Sequence, residues 1–204
     1  MQIQKDEIRN EILDSALNIF SSIGYEAATM NQIALKAGVS KSNLYRYYQS
    51  KSEIYRTLED AAKAEIRATL NESIDYCFGN KLLENNTPPK DPAAYYLKLF
   101  SPLLCNKKKQ ILLILKSGDF FSGREFVDEI IGLFSEPFSL SKNIKVSGDF
   151  SKIVATSLIN NVCNILCNCE TDEDILTQFS SLIYYHCFGI SWFADKKNNI
   201  TEEP

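Results

Sequence analysis

Six side chains able to bond nucleic acid fall within seven positions: Lys41, Ser42, Asn43, Tyr45, Arg46 and Tyr47, with Lys51 just beyond. Cationic groups neutralise phosphates, while hydroxyl and amide groups hydrogen-bond to phosphate oxygens or base edges. Such a set works only if one short element presents it on one face. The flanking residues predict that element. Ile33, Ala34 and Ala37 give a preceding helix a narrow apolar edge at helical spacing. Thr29 followed by Gln32 fits a capping box, and Gly38 stands where that helix must stop. Ser40 can then cap a second helix. Leu44 and Tyr48, four apart, anchor that helix and leave Lys41, Ser42, Asn43, Arg46 and Tyr47 more exposed. Ser50-Lys51-Ser52-Glu53 reads as another capping box opening a further helix. The segment from Thr29 to Lys51 is therefore predicted to be a helix-turn-helix that meets DNA.

Charge supports this placement. The chain as a whole is acidic, with a net charge of −4 over 204 residues. Between Lys36 and Arg56, however, five Lys/Arg face Glu53 alone, a local balance of +4. A small basic footprint on an acidic protein suits a few phosphate contacts per subunit, doubled by dimerisation.

The rest of the chain must hold this segment. An apolar content of 45% is that of a globular protein rather than a disordered one. No apolar run approaches the roughly 18 to 20 residues of a membrane span, and the charged, amphipathic start is unlike a signal peptide. A cytoplasmic protein with no membrane partner is expected. Helical patterns are predicted over 5–22, in the two short motif helices, and over 51–76, 92–104, 108–117, 123–137, 149–168 and 173–194. Gly24 should end the first, and Asp91-Pro92 should start the fifth as N-cap and first-turn proline. The polar stretch 79–90 is the clearest break. No strand pair bounded by hairpin turns is present, so the fold is expected to be all-α with about nine helices. Residues 1–50 would form the DNA-binding domain and 51–204 a second helical domain.

The two last long helices carry apolar residues on more than one face. A helix at the surface of one chain needs a single apolar stripe. The surplus face suggests a second subunit, with Leu158, Val162, Leu166, Phe179, Ile183, Tyr184 and Cys187 at the interface. The plainer alternative is that both helices are central to the core of one chain. Tyr95, Tyr96, Phe100, Phe120, Phe121, Phe126 and Phe134 make the middle region aromatic, as either a core or the lining of a pocket for an apolar or aromatic small molecule. Lys107-Lys108-Lys109 reads as a solvated loop or helix start.

Enzyme chemistry finds little to stand on. There is one histidine, His186, with no phosphate-binding loop, dinucleotide glycine signature or usable pair of metal ligands, so no cofactor, metal or catalytic residue is expected. Of six cysteines, Cys163, Cys167 and Cys169 lie close together. Buried packing is their plainer role, and a redox-responsive regulator using Cys163 and Cys167 is the alternative. A DNA-bound interaction protein with no small-molecule effector is a further one.

From Ile8 to Leu58 the chain resembles the TetR/AcrR family of transcriptional regulators. The likeness rests on Ala16, Phe20, Gly24, Thr29, Ile33, Ala34, Ala37-Gly38-Val39-Ser40, Leu44-Tyr45, Tyr47-Tyr48 and Ser50-Lys51. It implies an all-α homodimer, paired through the last two helices, on a near-palindromic operator. It also implies repression relieved when a small molecule enters the C-terminal domain and shifts the fourth helix. By position, Thr29 would bond a phosphate, and Lys41, Ser42 and Asn43 would face the major groove. Asn43 suits an adenine edge, and Lys41 suits guanine or phosphate. Tyr45, Tyr47 and Lys51 would grip backbone, with Arg46 reaching base or phosphate. Two positions depart from the family pattern: Gln49 stands where lysine is common, and Tyr48 where phenylalanine is usual.

Overall fold

Gly24 and Gly38 are the two described residues whose backbone must turn left-handed, with φ of 81° and 66°. Both sit at helix ends, where glycine takes that conformation without a Cβ clash. The structure is a computed structural model, and it describes residues 2–75, 91–115, 123–140 and 148–194. Among these residues are nine helices and no strand: α1 (Gln2–Ala27, broken at Gly24), α2 (Met30–Lys36), α3 (Lys41–Tyr47), α4 (Lys51–Ile74), α5 (Pro92–Asn106), α6 (Lys108–Leu115), α7 (Gly123–Leu140), α8 (Gly148–Asn168) and α9 (Asp172–Ala194). The all-α expectation holds, and the expected nine segments are the nine observed.

Two compact units make up the chain, Met1–Ala64 with Lys109–Lys116, and Glu65–Lys108 with Ser117–Pro204. The division falls inside α4 rather than at residue 50, where the sequence pattern suggests it. α4 is continuous, so no loop marks the change.

In the first unit α1 buries Ile12, Ala16, Leu17, Ile19 and Phe20. Three aromatic rings meet beside the Gly24 turn, with Phe20, Tyr25 and Tyr55 centroids 5.1 to 5.7 Å apart in tilted or edge-on pairs. The Tyr55 hydroxyl donates to the Leu113 carbonyl at 3.2 Å, tying α4 to α6. Lys109, in α6, donates to the Asn18 amide oxygen.

The second unit packs α5 against α9, and α8 against α7 and α9. Ile66 and Leu70 of α4, Leu103 and Leu104 of α5, Phe126 and Ile130 of α7, and Ile175 of α9 are buried. Arg67 holds Glu129 through two parallel hydrogen bonds, and its guanidinium lies 4.9 Å from the Phe126 ring centroid. Lys107 pairs with Glu65 at 3.0 Å and Lys108 donates to the Cys169 carbonyl at 2.6 Å. Lys108 and Lys109 open α6, as the helix-start reading expects, and each of the three lysines holds a different element.

Several expectations for this unit change. Leu166, Phe179 and Ile183, expected at a subunit interface, are buried within their own chain, and Phe179 meets Phe100 at 5.6 Å between centroids. The surplus apolar face is partly consumed by α5 and α7. The large apolar side chains that remain exposed on α8 and α9 are Phe150, Ile153, Tyr184 and Tyr185. Leu158, Val162 and Cys187 are half-buried. Among the aromatic residues read as core or pocket lining, Phe100 and Phe126 are core, Tyr95, Tyr96 and Phe134 are half-buried, and Phe120 and Phe121 lie outside the described residues. α8 corrects the view that no run approaches a membrane span: Asp149–Asn168 is long and apolar enough by length and composition. Its exposed positions include Thr156, Ser157, Asn160, Asn161 and Asn164.

Candidate nucleic-acid interface

Every turn of the helix-turn-helix is fixed by local hydrogen bonds. Thr29 and Gln32 form a reciprocal box: the Gln32 N–H donates to Thr29 Oγ1 at 3.3 Å, and the Thr29 N–H to Gln32 Oε1 at 2.9 Å. At the far end of α2, Val39 N–H bonds the Ala34 carbonyl and Gly38 N–H the Leu35 carbonyl, at 3.0 and 3.2 Å. This pair of bonds is a Schellman stop, and it requires the left-handed Gly38. Two residues on, Ser40 Oγ accepts the Asn43 N–H at 3.1 Å and starts α3. Leu44 and Tyr48 are fully buried beneath it.

The cap of α4 differs in detail from the expected box. Ser50 Oγ accepts the Glu53 N–H at 3.1 Å, but the Glu53 carboxylate accepts from Gln49 N–H at 2.6 Å rather than from Ser50. Gln49 in turn donates through its side chain to the Tyr45 carbonyl at 2.9 Å. The residue standing where lysine is common therefore closes the C-terminal end of α3.

α3 presents Lys41, Ser42, Tyr45 and Arg46 as exposed and Asn43 and Tyr47 as half-exposed. Tyr45 is 38% exposed, which leaves its ring available to a partner rather than in the core. The Ser42 hydroxyl lies 3.1 Å from that of Ser40. Thr29 is exposed, but its hydroxyl already donates to Gln32 Oε1 at 2.8 Å. Lys51 is placed apart from this face. Its ammonium donates to the carbonyls of Tyr25, Glu26 and Ala28 at 2.6, 3.2 and 2.9 Å and lies 4.2 Å from the Tyr25 ring centroid. Burial, with Glu26 adding to it, pushes the Tyr25 phenol above its ordinary pKa.

One basic residue escapes a reading of the sequence. Arg9 of α1 is exposed, and its guanidinium lies 5.6 Å from the Tyr48 ring centroid. No local spacing links the two positions, so nothing in the sequence signals the contact. The Tyr48 hydroxyl is buried without a hydrogen bond of good geometry among the described residues, although its nearness to the Arg9 guanidinium raises the Arg9 pKa above its ordinary value. An unsatisfied buried donor costs about 1–3 kcal/mol. Tyr48→Phe should therefore raise unfolding free energy by about 1 kcal/mol in a denaturant titration. A loss of stability would mean that Arg9 depends on the hydroxyl.

Residues 12–58, which contain the whole motif, match the family model of bacterial regulatory proteins of the tetR family. This segment is a TetR-family DNA-binding domain. Relatives of different reach resemble the chain. The transcriptional activator FasR of Mycolicibacterium smegmatis is 44% identical over 54 residues, covering 26% of this chain and 25% of FasR. IcaR, the negative transcriptional regulator of the icaADBC biofilm operon in Staphylococcus aureus, is 27% identical over 150 residues, 73% of this chain and 74% of IcaR. Among solved structures, a TerR/AcrR-family regulator from Aquifex aeolicus superposes with a TM-score of 0.62 at 15% identity, covering 88% of this chain and 99% of that one. NalD of Pseudomonas aeruginosa superposes with a TM-score of 0.58 at 16% identity, covering 89% and 96%. These two likenesses concern the fold, and they extend the TetR-like architecture through the second unit.

Proposed function

We propose that this chain is a cytoplasmic homodimeric repressor that leaves a near-palindromic operator when a small apolar or aromatic effector binds its second unit. The observation that carries the reading is α3, a doubly braced helix whose exposed face holds Lys41, Ser42, Tyr45 and Arg46, with Asn43 and Tyr47 beside them. Lys41 and Arg46 supply phosphate or guanine contacts, Asn43 an adenine contact, and the two tyrosines and Thr29 contacts to the DNA backbone. A second copy is needed because one such face holds few cations. The exposed Ile153, Tyr184 and Tyr185 on α8 and α9, flanked by half-buried Leu158, Val162 and Cys187, are the surface through which it pairs.

Repression is favoured over activation by the reach of the two likenesses. The match to the activator FasR extends over only 54 residues, whereas the match to IcaR, a negative regulator, runs through 150. Half-buried Tyr95, Tyr96 and Phe134 are the aromatic groups available to an effector. By linkage, effector and operator weaken each other's binding by the same factor.

Selection from a random-sequence duplex pool tests this reading. Enrichment of a near-palindrome whose half-sites lie about one helical turn apart, roughly 34–36 Å, or a multiple of that, is expected. No enriched sequence, or a single asymmetric half-site bound by a monomer, would overturn it.

A further inference from the structure

Lys51 carries three N–H donors, and three carbonyl oxygens receive them. The acceptors belong to Tyr25, Glu26 and Ala28, the residues that follow the break at Gly24 and lead into the Thr29 cap of α2. Because Gly24 interrupts the helical ladder, carbonyls in this segment turn towards one point instead of continuing along the helix axis. An ammonium at that point satisfies them together, favoured by the negative end of α1 and by the Tyr25 ring 4.2 Å away. The bond to Ala28 spans 23 residues and closes a ring that contains α2, the Gly38 turn and α3.

We propose that Lys51 is a positioning residue of the DNA-binding unit: it fixes the α1–α2 connection, and so the stance of α2 and α3, and it contacts no phosphate. The proposal rests on the reading that α3 binds duplex DNA. A phosphate contact would require the ammonium to give up its three carbonyl acceptors, one of them on the buried Ala28. The same geometry distinguishes lysine from arginine. A single tetrahedral nitrogen directs its three hydrogens to converging oxygens, whereas a planar guanidinium spreads its donors in a fork suited to phosphate.

The test uses the full chain and the duplex enriched from the random pool, titrated at several salt concentrations. Lys51→Met and Lys51→Arg should both weaken binding about tenfold, with the slope of log affinity against log salt unchanged. Amides from Thr29 to Ile33 should exchange about tenfold faster in both variants without DNA, while those of α9 keep their rates. Gln32→Ala, which opens the Thr29 cap from its other side, combined with Lys51→Met should lose little more than either alone, since both act through one turn. An arginine variant that binds like the wild type would overturn the proposal. So would a salt slope shallower by about 0.9 in the methionine variant, the change expected when one phosphate is no longer neutralised. Multiplied losses in the double variant, or wild-type binding by both single variants, would do the same. If the unaltered chain enriches no duplex, it is the DNA reading that fails, and the exchange rates alone decide whether Lys51 holds the turn.

Discussion

Tyr55→Ala is expected to remove about 3–5 kcal/mol of stability, the range found when a large buried ring is truncated. The side chain is 1% exposed and meets Phe20 and Tyr25 in two ring pairs, each contributing about 0.5–1.5 kcal/mol beyond the buried area. Its hydroxyl also bonds the Leu113 carbonyl, the link between α4 and α6 in the first unit. Small units are stable by only about 5–15 kcal/mol, so this single change consumes a large share of the total. A fall in melting temperature of roughly 15 °C or more should appear by calorimetry. Tyr55→Phe separates the ring from the hydroxyl and should cost about 1 kcal/mol. A Tyr55→Ala loss below that of Tyr55→Phe would contradict this packing.

The parts of this molecule that are legible in the sequence are those held by residues three or four apart. Thr29 with Gln32, Ser40 with Asn43, and Asp91 with Ala94 each join positions three apart, so residue type and spacing announce them. Gly38 announces the turn for the same reason, since its Schellman bonds reach back only to Leu35 and Ala34. What periodicity does not disclose is the identity of the surface that covers an apolar face. Leu166, Phe179 and Ile183 repeat as interface residues would, yet their own chain buries them, and Ile153 and Tyr185 are left outside. Contacts made across long separations are equally silent. The partners of Lys51 lie 23 to 26 residues away, and those of Lys107, Lys108 and Lys109 are far along the chain from them. The unit boundary is hidden because α4 carries its helical pattern through Ala64 and Glu65 without a break.

The exposed face of α3 should hold the largest share of the binding free energy. One well-made base contact discriminates by about 1–3 kcal/mol, so Asn43→Ala is expected to weaken the selected duplex about ten- to hundredfold and to relax preference at one base pair of each half-site. Lys41→Ala and Arg46→Ala should behave differently where they meet phosphate: affinity falls for all sequences together, and the salt slope becomes shallower by about 0.9 for each phosphate left without its cation. Tyr47, half-exposed beside them, should give a smaller loss. None of these four side chains is in the buried core, so melting temperatures should stay close to that of the unaltered chain. Weakened binding without unfolding would mark them as groups that touch DNA.

The most direct measurement is a fluorescence titration of the enriched duplex with the unaltered chain and the Lys41→Ala, Asn43→Ala and Tyr47→Ala variants, across about 50–200 mM salt. The account predicts that all three variants bind more weakly, with Asn43→Ala losing sequence preference and Lys41→Ala losing salt dependence. Unchanged affinity in all three would contradict it and remove α3 as the surface that meets DNA.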